Sequence, residues 1–169
     1  MTIATCYHCK FSWEYTGEEK TCPNCGEAPG APGKGGSRNK NHHAGKRTIG
    51  GETRHFPNRW EANYYRYLHW LESRKEIITF WYQPDYYEFP VQHGTTRYRP
   101  DFHVRTQDPD SDYFIEYLVE IKGWMDAASK TKLNRMKKYH PEIEVRVVTW
   151  PDMQALSKQV GGIIEGWER

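Results

Sequence analysis

Two groups of residues have types and spacings that could do chemistry. The first joins Asp101, which follows Pro100, to the segment Val119-Glu120-Ile121-Lys122-Gly123. Side chains alternate in direction along a strand, so Glu120 and Lys122 share one face while Val119 and Ile121 share the other. Pro100 cannot donate to a strand ladder, which puts the start of the Asp101 strand at an edge or an irregularity. If the two strands form a hairpin, Asp101 approaches Glu120. Two converging carboxylates repel each other and favour a hard cation between them, Mg²⁺ or Mn²⁺ held by oxygens with water completing the shell. Lys122 is then placed to orient or help deprotonate an attacking water and to stabilise charge developing on a phosphate. A Glu-x-Lys pair alone is an ordinary surface pair. Its combination with Pro-Asp, an apolar strand and a following basic helix is much more specific.

The second group is the four cysteines, all within the first 25 residues. Cys6-x-x-Cys9 and Cys22-x-x-Cys25 are separated by the twelve residues 10–21. Two such knuckles can fold back on each other and present four thiolates to one tetrahedral ion, and Pro23 and Gly26 suit a tight knuckle turn. A structural zinc ribbon is the expectation for residues 1–28. Iron in a rubredoxin-like site uses the same ligands and geometry and stays open, whereas a redox dithiol needs only one of the two motifs. Four sulfur ligands leave no open position for catalysis. His8, inside the first knuckle, reads as a bystander, and His42 and His43 as solvated residues.

These groups need elements to position them. The chain has 169 residues, enough for one ordinary domain and a small accessory module. Hydrophobic residues are 37%, but aromatics reach 15%, and large rings bury much area each. No apolar run approaches the roughly 18 residues of a membrane helix, and the N-terminal residues lack the basic start and apolar stretch of a signal peptide. The cysteines are therefore read as thiols or metal ligands rather than disulfides. A net charge of +2 leaves the question of a nucleic-acid partner to the distribution of charge.

Residues 29–52 are rich in Gly, Pro, Asn and His and read as a flexible basic linker, in which Lys34, Arg38, Lys40, Lys46 and Arg47 face no acid before Glu52. Residues 53–169 carry nearly all the periodic hydrophobicity. Trp60, Tyr64, Tyr67, Leu68 and Leu71 recur with the spacing of one helical face, and Asn58 is an N-cap candidate with Glu61 three residues on. Strands are expected over residues 77–82, 86–92, 98–105, 113–122 and 143–150. Helices are expected over residues 126–140 and from near Asp152, the last with Met153, Leu156, Val160, Ile163 and Ile164 along one face. The order α-β-β-β-β-α-β-α predicts a mixed α/β fold around a central sheet.

Lys130, Lys132, Arg135, Lys137 and Lys138 lie on the expected second helix with no acid among them. All but Lys132 fall opposite Leu133, Met136 and His140, so Lys130, Arg135, Lys137 and Lys138 could offer a positive ridge to DNA; a merely solubilising face is the alternative. Trp124 could wedge into DNA or pack in a core. Glu116 reads as a surface residue and His103 as a satisfied structural histidine. Glu61 either closes a capping box with Asn58 or looks toward the sheet edge from the shoulder of the apolar face.

Residues 59–148 resemble the PD-(D/E)xK nuclease superfamily, and within it the phage endonuclease I group of Holliday-junction-resolving enzymes. The matching residues are Trp60-Glu61, Tyr98-x-Pro100-Asp101-Phe102, Val119-Glu120-Ile121-Lys122-Gly123, and Tyr139-His140-Pro141-Glu142 leading into Val145-Arg146-Val147-Val148. The resemblance implies a restriction-endonuclease-like core and Mg²⁺- or Mn²⁺-dependent hydrolysis of DNA phosphodiesters. It implies that Asp101 and Glu120 bind the metal, that Lys122 assists the attacking water, and that Glu61 completes the site. It also implies a homodimer acting on branched DNA, with no membrane partner, in the cytoplasm of a bacterial host. Restriction, mismatch-nicking and transposon-end nucleases share the core, so a sequence- or end-specific nuclease stays open, as does a non-catalytic DNA-binding module. The four-cysteine module departs from the endonuclease I group.

The cysteine spacing generates the first testable outcome. Metal analysis of the purified protein should find about one zinc per chain, and Cys22→Ser should release it while residues 53–169 stay folded. Four freely reactive thiols in fresh, metal-free protein would overturn this reading.

Overall fold

The computed structural model describes residues 44–169 and two strands near the N-terminus, and it divides the chain into two units, Met1–Asn41 and His42–Arg169. In the first unit, β1 (Thr2–Thr5) pairs antiparallel with β2 (Ser12–Tyr15), Thr5 opposite Ser12. The expectations for Cys6, Cys9, Cys22, Cys25, His8, His42 and His43, and for residues 29–41 as linker, lie outside the described residues.

The second unit opens with a hairpin, β3 (Gly45–Ile49) and β4 (Glu52–Phe56), joined by Gly50 and Gly51. Both glycines have positive φ, 61° and 83°, the requirement of a two-residue type I′ turn. Residues 45–52, expected as linker, are thus ordered: the Gly-Gly pair makes a turn here, and the β-branched Thr48 and Ile49 lead into it. Ile49 and Phe56 enter the core, Phe56 with no exposed surface. Burying such a ring contributes about 1.5–3 kcal/mol. Arg47 is not without an acid either. Its Nε and Nη2 donate to the two carboxylate oxygens of Glu168 at 2.6 and 2.7 Å, and Arg66 Nη1 donates to Oε1 at 3.0 Å. The buried Asn63 exchanges two hydrogen bonds with the backbone of Glu168, tying the C-terminal segment to the first helix.

That helix, α1 (Arg59–Ser73), starts where expected. The Asn58 side chain accepts from the backbone N–H groups of Trp60 and Glu61, both at 2.9 Å, and satisfies two donors the helix cannot. Ala62, Tyr64, Tyr65 and Leu68 are buried, with Trp60, Tyr67 and Leu71 half-buried beside them. The strands β5 (Thr79–Tyr82), β8 (Phe102–Gln107), β9 (Phe114–Lys122) and β10 (Glu144–Thr149) form one mixed sheet in the order β10-β9-β8-β5. Only β9 and β10 are parallel; they are connected through α2 (Ala127–Tyr139), as a parallel pair requires. A small pair, β6 (Tyr87–Glu88) and β7 (Arg97–Tyr98), lies between β5 and β8 in sequence, and α3 (Trp150–Val160) closes the unit.

Alternation along β8 and β9 divides the core. Phe102, Val104, Tyr117, Val119 and Ile121 pack with α1 and with Met153 of α3, whereas Leu118 packs with Phe89, Tyr98 and Met136 of α2. Helices therefore flank a mixed sheet. Three expected elements differ in extent. The strand over 86–92 shrinks to Tyr87–Glu88. The strand over 98–105 breaks at residues 99–101, where Pro100 cannot continue a ladder. The last helix starts at Trp150, because Pro151 fits a first turn that needs no N–H and Asp152 closes a capping box with Thr149. It also ends at Val160, which leaves Ile163 66% exposed rather than on the packed face. Among the described residues no helix is long and apolar enough to cross a membrane.

The Arg47–Glu168–Arg66 cluster sets a pH dependence. The hydrogen bond from Arg47 holds the Glu168 carboxyl below its ordinary value of 4.5, against an opposing effect of partial burial and with further help from Arg66. A carboxyl depressed in the fold stabilises it above that ordinary value and loses the effect as pH falls through the folded value. Glu168→Gln should cost about 1 kcal/mol at neutral pH. In urea unfolding the deficit should vanish well below pH 4.5; a deficit of equal size at both ends would refute the ion-pair account.

Candidate active site

The break at Pro100 decides where Asp101 goes. The β8–β9 register pairs Phe102 with Val119, so one residue back Asp101 lies opposite Glu120. The Asp101 N–H donates to the Val119 carbonyl at 3.1 Å, and its Oδ2 accepts from the Ile121 N–H at 2.7 Å. Its own carbonyl accepts from the Gln83 N–H at 2.7 Å. The residue is therefore locked by backbone on both sides, with its carboxyl turned to the end of β9.

Glu120 is only 4% exposed. Its Oε2 accepts from the Tyr98 hydroxyl at 2.8 Å and its Oε1 from the Lys122 ammonium at 2.7 Å. The same-face placement of Glu120 and Lys122 read from strand alternation is thus a direct ion pair. Glu61, in the first turn of α1, is 5% exposed. Its oxygens accept from Asn58 Nδ2 at 2.8 Å and from the Tyr82 hydroxyl at 2.9 Å. It bonds the cap side chain rather than the cap backbone, and it also lies within the electrostatic reach of Glu120 and Lys122. Glu61 thus holds the side chain of the cap and faces Tyr82 of β5 at the sheet edge.

Three acids and one ammonium share this end of the sheet, and their proton affinities record the imbalance. Burial first, then the charges of Glu120 and Glu61, push the Asp101 carboxyl up to about 8, although the Ile121 N–H and Lys122 pull the other way. Burial likewise raises Glu61, opposed by its hydrogen bonds from Tyr82 and Asn58. For Lys122, burial alone would lower the value. The hydrogen bond to Glu120 and the fields of Asp101 and Asp126 outweigh it and keep the ammonium charged. Burial and the adjacent acids raise Tyr82 and Tyr98, so both remain neutral donors.

Among the described residues no group of three or more His, Cys, Asp and Glu side chains could hold a metal ion as placed. The donor chemistry fits a smaller claim. Mg²⁺ keeps several waters and takes one or two carboxylates together with substrate phosphate, and Asp101 and Glu120 offer such a pair. Both oxygens of Glu61 are engaged by Asn58 and Tyr82, as both of Glu120 are by Tyr98 and Lys122.

Beyond Lys122 the chain turns through Gly123 into α2, whose N-cap is Asp126, accepting from the Ser129 N–H at 2.7 Å. On α2, Lys130, Lys137 and Lys138 are exposed and Lys132 is half-buried. Arg135 is half-buried and donates to the Thr95 carbonyl, so it anchors the loop before β7 and is a weaker candidate for the ridge. Trp124 is 83% exposed, which corrects the core-packing alternative. His103 contacts Glu116 at 3.0 Å and Arg105 holds the same carboxylate, so His103 is a half-buried, partnered histidine and Glu116 a surface acid, both outside the cluster.

Sequence reasoning assigned no site role to Tyr82, Tyr98 or Gln83. Tyr98 stands in the Tyr-x-Pro-Asp run, and an aromatic just before a chain break beside an acid was the available signal. Tyr82 carried none, because its ring reads as core. Gln83 adopts φ 48°, a backbone strained for a side-chain-bearing residue. From there its N–H reaches Asp101 and its Nε2 reaches the Tyr82 hydroxyl at 3.2 Å.

The chain belongs to a family of proteins of unknown function (DUF1064), whose model matches residues 39–153. That stretch includes Glu61, Asp101, Glu120, Lys122 and all of α2. No curated protein and no solved structure matches the chain.

The raised Asp101 value has a definite sign. A proton held to about 8, against an ordinary 3.8, stabilises the fold at low pH. That stability is fully present below the ordinary value and is lost as pH rises through the folded one. Asp101→Asn keeps an acceptor for the Ile121 N–H but has no charge to bury. In chelator, the variant should match the unaltered protein near pH 4 and melt at least a few degrees higher at about pH 9. Equal melting temperatures at both pH values would refute the electrostatic account of the cluster.

Proposed function

We propose that this DUF1064 member is a metal-dependent endodeoxyribonuclease of restriction-endonuclease-like fold that hydrolyses phosphodiesters of branched DNA. In this reading residues 1–28 are a structural zinc ribbon and the active form is a homodimer. The observation that supports it best is the meeting of Asp101 with Glu120 across β8 and β9, with the Lys122 ammonium on Glu120.

Asp101 and Glu120 would hold Mg²⁺ or Mn²⁺, which when bound neutralises phosphate charge and raises the acidity of water. The remaining work falls to side chains of this chain. Lys122 orients the attacking water and stabilises charge on the phosphate. The water oxygen bonds to phosphorus and gives up a proton to solvent as the opposite P–O bond breaks, and the leaving sugar oxygen takes up a proton from solvent. Tyr98 fixes Glu120 and so fixes Lys122; Tyr82 and Asn58 fix Glu61 behind them. Lys130, Lys137 and Lys138 meet the DNA backbone, which positions the duplex without reading bases. Selection then comes from geometry, because two sites at fixed separation in a dimer can engage two backbones of a four-way junction.

Cleavage should be tested with a four-way junction and linear duplexes at matched salt in Mg²⁺. Asp101→Asn and Glu120→Gln should abolish cutting while DNA binding stays equal or tightens. Lys122→Ala should lose about 10²–10³ in rate. Each exposed lysine of α2 changed to alanine should reduce the log–log salt slope of binding by about 0.9. Cutting that survives the acid substitutions would remove the site assignment. A linear sequence cut faster than the junction would replace junction selection with sequence selection, and binding without any cutting would leave a DNA-binding module.

A further inference from the structure

We infer that Trp124 is a stacking platform for an unpaired nucleobase next to the carboxylate cluster, so that the preferred DNA carries unpaired bases beside the cut. The inference rests on the nuclease reading only for the presence of DNA at this end of the sheet.

Trp124 follows Lys122 by two residues, about 7 Å of backbone, and the residue is 83% exposed. The chain around it is held on both sides. Lys122 is paired to Glu120 before it, and Asp126 caps α2 after it. Gly123 lies directly against Trp60: a Cβ there would come within 2.7 Å of the indole. Trp60 in turn stacks on Trp150 with ring centroids 4.6 Å apart. These two rings occupy the space behind the turn and leave Trp124 directed outward.

A groove of about 330 Å³ runs beside it, lined among others by Lys122, Trp124, Met125, Lys130 and Trp150. It combines flat apolar surface with the exposed Lys130 and the Glu120-paired Lys122, the complement of a base joined to a phosphate. The volume is at the lower end of small-molecule sites, roughly 300–1,000 Å³. Two other exposed rings lack this setting. Tyr113 and Phe114 stand at the opposite end of β9, roughly 27 Å along the strand from Lys122. Bases stacked in a duplex cannot offer a face to Trp124, whereas a base at a junction, gap or flap can. Stacking on an aromatic side chain is worth about 5- to 150-fold in affinity per base.

The experiment compares the full chain with Trp124→Ala and Trp124→Phe. Binding is measured by anisotropy to a labelled duplex carrying a short single-stranded gap and to the same duplex fully paired, in Ca²⁺ so that nothing is cut. Indole fluorescence is recorded alongside. The unaltered chain should prefer the gapped DNA and lose indole emission on binding it. Trp124→Ala should lose about tenfold or more on gapped DNA and little on paired DNA, and Trp124→Phe should recover most of the loss. Equal binding of both DNAs by Trp124→Ala and the unaltered chain would overturn the inference. Cleavage of both DNAs in Mg²⁺ is scored separately. Absence of cutting with the gap preference intact would sink the nuclease reading alone, while cutting with no effect of Trp124→Ala would sink the stacking inference alone.

Discussion

Burying like charges together is the constraint on which the rest of this unit depends. Glu61, Asp101 and Glu120 are carried to one end of the sheet by three different elements, α1, the start of β8 and the interior of β9, and among the described residues Lys122 alone answers them with positive charge. Taking an uncompensated carboxylate out of water is expensive, and a chain selected for stability alone would place apolar side chains there. The unit instead spends neutral donors on the problem. Tyr98, Tyr82, Asn58 and the Ile121 N–H each hold one carboxylate oxygen. These bonds fix rotamers but add no charge, so Asp101 keeps its proton up to about 8. A cluster in this condition is short of a cation, and the proposed metal chemistry supplies a reason for tolerating it.

That constraint explains local features that look unrelated. Pro100 stops the β8 ladder one residue early, which lets the Asp101 carboxyl take the Ile121 N–H and turn toward Glu120. Gln83 accepts a positive φ because from there its backbone braces Asp101 and its amide braces Tyr82. Gly123 lets the strand end lie on Trp60, so the peptide after Lys122 approaches a ring where no Cβ fits. Each is a place where a local preference yields to the positioning of an acid or its counter-ion, the pattern expected where a fold serves a site.

What could be read from the sequence followed from periodicity and from backbone chemistry. The α1 face, the Asn58 cap and the Glu120–Lys122 pairing depend on fixed repeats of 3.6 and 2 residues, and they appear as expected. Residues 45–52 were misread because composition cannot tell a flexible Gly-Gly from a type I′ turn; the difference lies in Phe56 and Glu168, distant in sequence, which give the hairpin a core and an ion pair. The tyrosine donors were invisible for a related reason. A Tyr ring and its hydroxyl serve opposite ends of one side chain, and hydropathy sees only the ring. Arg135 illustrates the converse. Its charge suggested the DNA ridge, but its role in the fold is to hold the Thr95 carbonyl.

Setting the half-buried Arg135 apart from the ridge sharpens the remaining pattern. Lys130, Lys137 and Lys138 stand at i, i+7 and i+8, a spacing that returns to one face of a helix over about 12 Å. Met136 and Ser129 hold the opposite side against the core. A lysine is a mobile point charge and lacks the planar fork with which arginine reads a guanine edge. A stripe made of lysines alone therefore suits a phosphate backbone of any sequence. On the proposed reading, discrimination must enter elsewhere, through the spacing of two sites in a dimer or through a group that distinguishes a paired base from an unpaired one. Trp124 is an exposed group close to the cluster in sequence with the surface to do the second, and the short, braced turn from Lys122 to Asp126 ties its position to that of the acids.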